Sequence, residues 1–267
     1  MHLHSLGYRT DLILAAFDGQ ITDRGDYLVI RTPSNPTFYW GNFLLFARPP
    51  QVGDDARWRE LFATEIGAPP QVQHQTFGWD STAGEMGHVQ PFLAAGFRLD
   101  HSVVLSAQQV QRPANYTPEV TVRPLSSDAE WEQALTQQVE LREPEHDEAG
   151  YRRFMQDQMA RYRAMAAAGL GTWFGAFVGR RLVADLGIFH NQELGRFQSV
   201  ETHPDYRRRG IGGTMVYEAA RYALTHFGIE TLVIVADLDS AAARLYASVG
   251  FQPTEQQVGL EWWEKDT

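Results

Sequence analysis

The chain has 267 residues, 43% hydrophobic and 12% aromatic, with no cysteine. That apolar content excludes a disordered chain, and the missing thiols exclude disulfides, cysteine-based zinc sites and a thiol nucleophile. With 23 Lys+Arg against 33 Asp+Glu the formal charge is −10, the wrong sign for neutralising nucleic-acid phosphates. Residues 1–5 lack the basic and apolar regions of a signal peptide, and the longest apolar runs fall far short of the ~20 residues a membrane helix needs. The expectation is a soluble, cytoplasmic protein with neither a nucleic-acid nor a membrane partner. No His-x-x-x-His or His/Asp cluster suggests a metal.

In the first half, Tyr27–Arg31 and Asn42–Phe46 read as strands, Trp58–Ile66 as a helix, Gln73–Gly78 as a strand, and Phe92–Ala95 as a helical turn before Gly96-Phe97. His2 and His4 read as a mobile terminal pair. An apolar strand, Ser102–Leu105, leads into Gln108–Pro118, which is polar, carries two prolines and reads as a linker. The expected domains are 1–110, a linker at 111–118, and 119–267.

The second half is more legible. Val120–Pro124 alternates as a strand, and Ser127 or Asp128 caps a helix through Leu141. Phe154, Met155, Met159, Tyr162 and Met165 recur at helical steps within Tyr151–Ala168. Trp173–Val178, Leu182–Phe189 and Phe197–Thr202 predict three strands joined by hairpin-like turns. A helix over Ile211–Phe227 stops at Gly228, a strand follows at Thr231–Ala236, a helix at Ser240–Val249 stops at Gly250, and Phe251–Trp263 is the last strand. The order is βααβββαβαβ. Leu93-Ala-Ala-Gly96-Phe97 echoes Tyr246-Ala-Ser-Val-Gly250-Phe251, each before a strand. The echo suggests a diverged internal duplication.

Chemistry concentrates in Val200–Met215, VETHPDYRRRGIGGTM. A strand ends at Thr202, Pro204 breaks it, three arginines follow, and Gly210-Ile211-Gly212-Gly213 opens a helix. The first N–H groups of a helix lack intrahelical partners and carry the positive end of its dipole. Glycines admit a close anion and arginines offer forked donors, so the segment forms a diphosphate cradle. It is not a Walker loop, which needs Gly-Lys-Ser/Thr, and Met215 stands where the dinucleotide fingerprint needs glycine.

Arg207-x-x-Gly210-x-Gly212 resembles the coenzyme A signature [QR]-x-x-G-x-[GA] of the GNAT acetyltransferase superfamily. Asp239-x-x-Ala242-x-x-Leu245-Tyr246-x-x-x-Gly250-Phe251 is similar to the family's second segment, which usually opens with asparagine; Asp239 departs from it, which puts its contact with a cofactor in doubt. The resemblance covers 119–267 and implies a mixed-sheet α/β acyltransferase fold; with the echo it suggests a tandem of two related domains, the first half being a degenerate copy that has lost coenzyme A binding or else an accessory domain. The implied activity is transfer of an acetyl group from acetyl-CoA to a primary amine, of a small molecule or a peptide, by direct attack. The rival is a catalytically inactive acyl-CoA-binding sensor or scaffold. Carried over residue by residue, Val200, Glu201 and Thr202 pair with the pantetheine arm. Arg207, Arg208, Arg209, Gly210, Ile211, Gly212 and Gly213 hold the diphosphate, with Thr214 adding its hydroxyl and Asp239 near the cofactor. Tyr246 is the general acid towards the departing thiolate; Glu201, or less favourably His203, takes the amine proton. The acidic run Glu143–Glu148 is either a cation-attracting lip or a solvated loop. For the first half, covering the catalytic domain, shaping the acceptor site and forming a homodimer face stay open.

Overall fold

Helix starts are set by side chains that satisfy orphan amides. Ser5 Oγ accepts from the Tyr8 N–H, Ser127 from Glu130, Asp147 from Gly150 and Ser240 from Ala243. In the computed structural model, residues 1–263 are described except Glu145 and Asp239, and the chain divides into two units. Unit 1 comprises Met1–Val104 together with the chain from Thr254 on; unit 2 comprises Leu105–Pro253.

Unit 1 runs α1 (Leu6–Asp18), β1 (Gln20–Asp23), β2 (Tyr27–Arg31), β3 (Phe43–Phe46), α2 (Asp54–Glu65), β4 (His74–Trp79), α3 (Gln90–Ala94) and the start of β5 (Arg98–Ala107). β1, β2 and β3 are antiparallel neighbours, and β3 pairs β4 in parallel. Trp58 of α2 stacks on Phe46 at 3.7 Å and joins Phe77, Trp79, Phe92 and Phe97 in an aromatic core. Helix α1 and strand β1 were not expected from the sequence. The expectation of a mobile pair at His2 and His4 fails at His4, whose backbone N–H and ring Nδ1 both meet the Asp80 carboxylate, at 3.0 and 2.9 Å.

Unit 2 runs β6 (Thr121–Pro124), α4 (Asp128–Glu140), α5 (Glu148–Ala167), β7 (Gly171–Val178), β8 (Arg181–His190), β9 (Leu194–Thr202), α6 (Ile211–His226), β10 (Thr231–Asp237) and α7 (Ala241–Val249). Its strands lie in the order β10-β9-β8-β7-β6. Side chains alternate faces along a strand: Trp173 stacks on Tyr162 of α5, while its neighbour Phe174 meets Tyr222 of α6. Helix α5 thus covers one face and α6 the other. Gly250 takes φ 111° and ends α7. The last strand, β11 (Gln252–Trp263), leaves unit 2 and pairs antiparallel with β4 in unit 1, Gly259 opposite Gly78. Residues 254 onward, grouped with the second domain in the sequence reading, therefore lie in unit 1. Among the described residues, no helix is long and apolar enough to cross a membrane.

Candidate active site

β9 and β10 share a ladder only where Leu194–Arg196 faces Thr231–Val233. Phe197–Thr202 and Ile234–Asp237 run on beyond it without a ladder between them. A parallel sheet is open here at the carboxyl ends of two adjacent strands, where ligands of α/β proteins enter. The other edge of β9 stays on β8, with a slip in register: Asp185 is opposite Glu201, but Gly187 is opposite Gln198. Ser199 and Val200 therefore face Leu186 alone, which is a β-bulge, and Ser199 takes φ 45°. The Ser199 carbonyl accepts from Gln138 Nε2 at 3.3 Å.

After Thr202 a short 3-10 turn, Pro204–Tyr206, leads to the arginines. Arg207 folds back, its Nε donating to the Thr202 carbonyl at 3.0 Å, and the Arg209 guanidinium lies 5.0 Å from the Tyr206 ring. Gly210, at φ 78°, opens α6, and no side chain caps that helix. Any Cβ on Gly210 would stand 1.8 Å from the Asn115 carbonyl oxygen, so the position is closed to side chains twice over. A Cβ on Gly212 would lie 3.1 Å from Leu245 Cδ1 and 3.3 Å from Thr202 Oγ1. The end of β9, the start of α6 and the residue before Tyr246 thus meet at one point. Thr214 does not open onto it: its side chain is 1% exposed and its hydroxyl accepts from the Thr117 N–H at 2.9 Å. The expected linker at 111–118 is a packed strap, with Tyr116 Oη donating to Glu218 at 3.0 Å as well. Asp239 lies outside the described residues.

Tyr246 is buried on α7, and burial, then Glu201 and Asp237, push its phenol well above the ordinary value. Glu201 is half-buried; burial raises its carboxyl, with Arg207 pulling the other way. Tyr151 of α5 is raised by burial, then by Glu201 and Glu143. The charge of Glu201 therefore reaches both Tyr246 and Tyr151. His203 serves the backbone instead: its Nδ1 accepts from the Asp205 N–H at 3.2 Å. Of the acidic run, Asp147 caps α5.

Sequence reasoning missed Asp185, Gln137 and Gln138. Asp185 is fully buried; its Oδ1 accepts from Gln137 Nε2 at 2.8 Å and Gln138 Nε2 at 3.1 Å, and its Oδ2 from Trp173 Nε1 at 3.0 Å. The available signal was a lone carboxylate inside an apolar strand, Leu182–Phe189. Such a group is rarely buried without a job or a partner.

Residues 131–251 match the Acetyltransferase (GNAT) family, and the chain carries a GNAT acetyltransferase domain there. No curated protein matches the sequence. Among solved structures, the chain is similar to a functionally unknown protein from Staphylococcus epidermidis, at 13% identity and a TM-score of 0.68, covering 94% of this chain and 95% of that one. A GCN5-related N-acetyltransferase from Kribbella flavida gives 14% identity and a TM-score of 0.63 over 95% and 93%. A tandem GNAT protein from the clavulanic acid biosynthesis pathway gives 14% and 0.53 over 97% and 88%. At these identities the likeness concerns the fold, and it extends over both units.

Proposed function

We propose that unit 2 binds acetyl-CoA and transfers its acetyl group to a primary amine. The observation that carries this reading is the opening between β9 and β10 beside an uncapped, glycine-lined helix start. Unpaired amides at the positive end of α6 suit a diphosphate, and Gly212 and Gly213 leave the space a Cβ would fill. The free edge of β9 at Val200, Glu201 and Thr202 suits the amide-bearing pantetheine arm, as an added strand would. Arg207, Arg208 and Arg209 bring permanent positive charge to the same turn.

Bound there, acetyl-CoA supplies an activated acyl group as a thioester. The chain's residues handle the protons. Glu201, with proton affinity raised by burial, accepts a proton from the incoming ammonium. The neutral amine adds to the carbonyl and the C–N bond forms; the nitrogen, cationic after attack, loses its second proton to solvent, the C–S bond breaks and a thiolate leaves. Backbone N–H groups at the bulge polarise the carbonyl oxygen. Tyr246, kept protonated by its raised pKa, gives its proton to the thiolate and is reprotonated from solvent. Transfer needs no covalent acyl-enzyme, which agrees with a chain that has no cysteine.

Calorimetric titration with acetyl-CoA and with dephosphorylated pantetheine tests the cradle. The full carrier is expected to bind far more tightly; equal binding removes the diphosphate assignment. Thiol release over a panel of amines then separates an enzyme from a sensor module: binding without release at any amine sinks the catalytic half.

A further inference from the structure

Asp185 is the one carboxylate in β8, and nothing in the proton steps above uses it. It is directly opposite Glu201 in the β8–β9 ladder, so both side chains leave the sheet on the same face. That is the face of Trp173, which donates to Asp185 Oδ2. Gln138 donates both to Asp185 Oδ1 and to the carbonyl of Ser199, the left-handed residue of the bulge. One amide thus ties the buried carboxylate to the backbone kink that presents Val200 and Glu201. A fully buried carboxylate with three N–H donors and no cation is expensive to keep, and the network satisfies it in the ionised form.

We propose that Asp185 is the positioning residue of this site: through Gln138 it fixes the β9 bulge, and its charge behind Glu201 makes Glu201 the group that takes the amine proton. The proposal rests on the acyl-transfer reading above. Two carboxylates on one face, one of them without solvent, resist double ionisation, so the pair holds a proton to higher pH than either alone. Burial first, with the charge of Glu201 behind it, pushes the Asp185 carboxyl up to about 7 against the three N–H donors. The other charged or titratable groups facing the pair are few. Tyr151 comes from α5 and Tyr246 from α7, both raised by Glu201; Glu143 lies before α5 and Arg207 after β9, while α4 presents only the neutral Gln137 and Gln138. Burial raises Glu201 and Arg207 lowers it, while the charge of Glu201 raises Asp185 on the buried side. The coupled pair titrates with two apparent values; the proton from the ammonium enters the pair at Glu201, and solvent takes it from there.

The test compares Asp185→Asn and Gln138→Leu with the wild-type protein, in acetyl-CoA calorimetry and in the pH profile of kcat/KM on the best amine of the panel. Both variants are expected to bind acetyl-CoA within about threefold of wild type. Asp185→Asn should shift the acid limb downward by at least one pH unit and lower kcat about tenfold or more. Gln138→Leu should lower kcat while leaving the limb within half a unit, because it loosens the bulge and keeps the charge. An unchanged limb in a folded Asp185→Asn, or a kcat in both variants equal to wild type, overturns the proposal. Infrared titration of the wild-type carboxyl stretch covers the case in which Asp185→Asn does not fold: a protonated carboxyl persisting above pH 6 is expected, and its complete loss by pH 5 overturns the pairing. Absence of acetyl-CoA binding by the wild-type protein defeats the acyl-transfer reading itself, and with it Glu201 as a base; normal turnover with an unshifted variant profile defeats only Asp185.

Discussion

Helices α2 and α6 start in the same way and then diverge. Each follows a strand whose parallel neighbour comes next in the chain, and each opens on a glycine in left-handed conformation, Gly53 at φ 86° and Gly210 at φ 78°. After Gly53 come Asp54 and Asp55; after Gly210 come Ile211, Gly212 and Gly213. The Asp54 carboxylate accepts from the Gln51 N–H at 2.9 Å and from Arg48 at 3.1 Å. Neither helix start has a side-chain cap, but unit 1 places its own carboxylates in the first turn of α2, whereas the first turn of α6 carries none. The strands follow suit: β3 pairs with β4 to its last residue, Phe46 with Trp79, whereas β9 leaves β10 after Arg196. Unit 1 places Leu28 opposite Leu45 in its middle hairpin, and unit 2 places Asp185 opposite Glu201. The ends of α3 and α7 complete the parallel. The Phe97 N–H reaches the Phe92 carbonyl at 3.0 Å as the Phe251 N–H reaches that of Tyr246 at 3.2 Å, so Phe92 stands where Tyr246 stands, without the hydroxyl. Two regions of one chain share this grammar, so under the acyl-transfer reading the difference between them rests on four local features rather than on the fold.

Each difference can be written into unit 2 and read out. The largest effect is expected from Gly213→Asp, which gives α6 the acidic first turn of α2. A Cβ there meets Pro113 Cγ at 3.4 Å, an ordinary contact, but the position is buried, so the carboxylate it carries is taken out of water. Affinity for acetyl-CoA should fall on the order of 100-fold or more through charge repulsion, and the melting temperature should fall too, because the position is buried. Calorimetry and a thermal melt on the same sample check both; unaltered affinity means the diphosphate is not at α6.

Tyr246→Phe copies Phe92 and removes only a hydroxyl. Loss of a general acid is worth roughly 100-fold in kcat, and the Kd for acetyl-CoA should stay within about threefold. A variant as fast as wild type retires Tyr246 as the acid.

Glu201→Gln tests the base. Because Glu201 titrates above the usual carboxylate range, kcat/KM in the wild-type protein should rise with pH through that raised value and then level off. Glutamine cannot ionise, so the variant should be slower by about tenfold or more and flat over the same window. The opposite sign holds for stability. A carboxyl whose folded pKa is raised binds more protons folded than unfolded, so Asp185 and Glu201 take stability away as pH rises from the unfolded carboxylate range towards 7. A retained acid limb in Glu201→Gln points to another base.

Much of unit 2 was readable because its signals are local. Ser127 before Glu130, Gly228 and Gly250 at helix ends, and alternating strands each act within a few residues, and the expected elements fall within a few residues of the observed ones. The Arg207–Gly213 turn was visible for the same reason. What was hidden depends on partners distant in sequence. Asp185 matters through Gln137, Gln138 and Trp173 and through register with Glu201, and no spacing reveals a bulge at Ser199. Thr214 looked like a phosphate ligand until Thr117 was found bonded to it. Strand β11 joins unit 1 because pairing to β4 across the chain, not chain order, decides where it buries Val258 and Leu260. Helix α1 is missed since its outward face is mixed and its purpose is long-range: Tyr8 Oη donates to the Val258 carbonyl at 2.8 Å.

The smallest expected effect runs the comparison backwards. Asp54→Ala removes the anion that seals α2, leaving the Gln51 N–H without its acceptor and Arg48 and Arg57 without a partner at that carboxylate. The lost charge-assisted hydrogen bonds should cost on the order of 1 kcal/mol of stability, read as a lower urea midpoint. It should not create a second acetyl-CoA site, since β3 and β4 remain zipped through Phe46 and Trp79 and offer no free edge to a pantetheine arm. Calorimetric stoichiometry is therefore expected to remain one per chain. A second binding event would show that the helix start alone suffices for the carrier, and that the opening of β9 from β10 is not what distinguishes the two units.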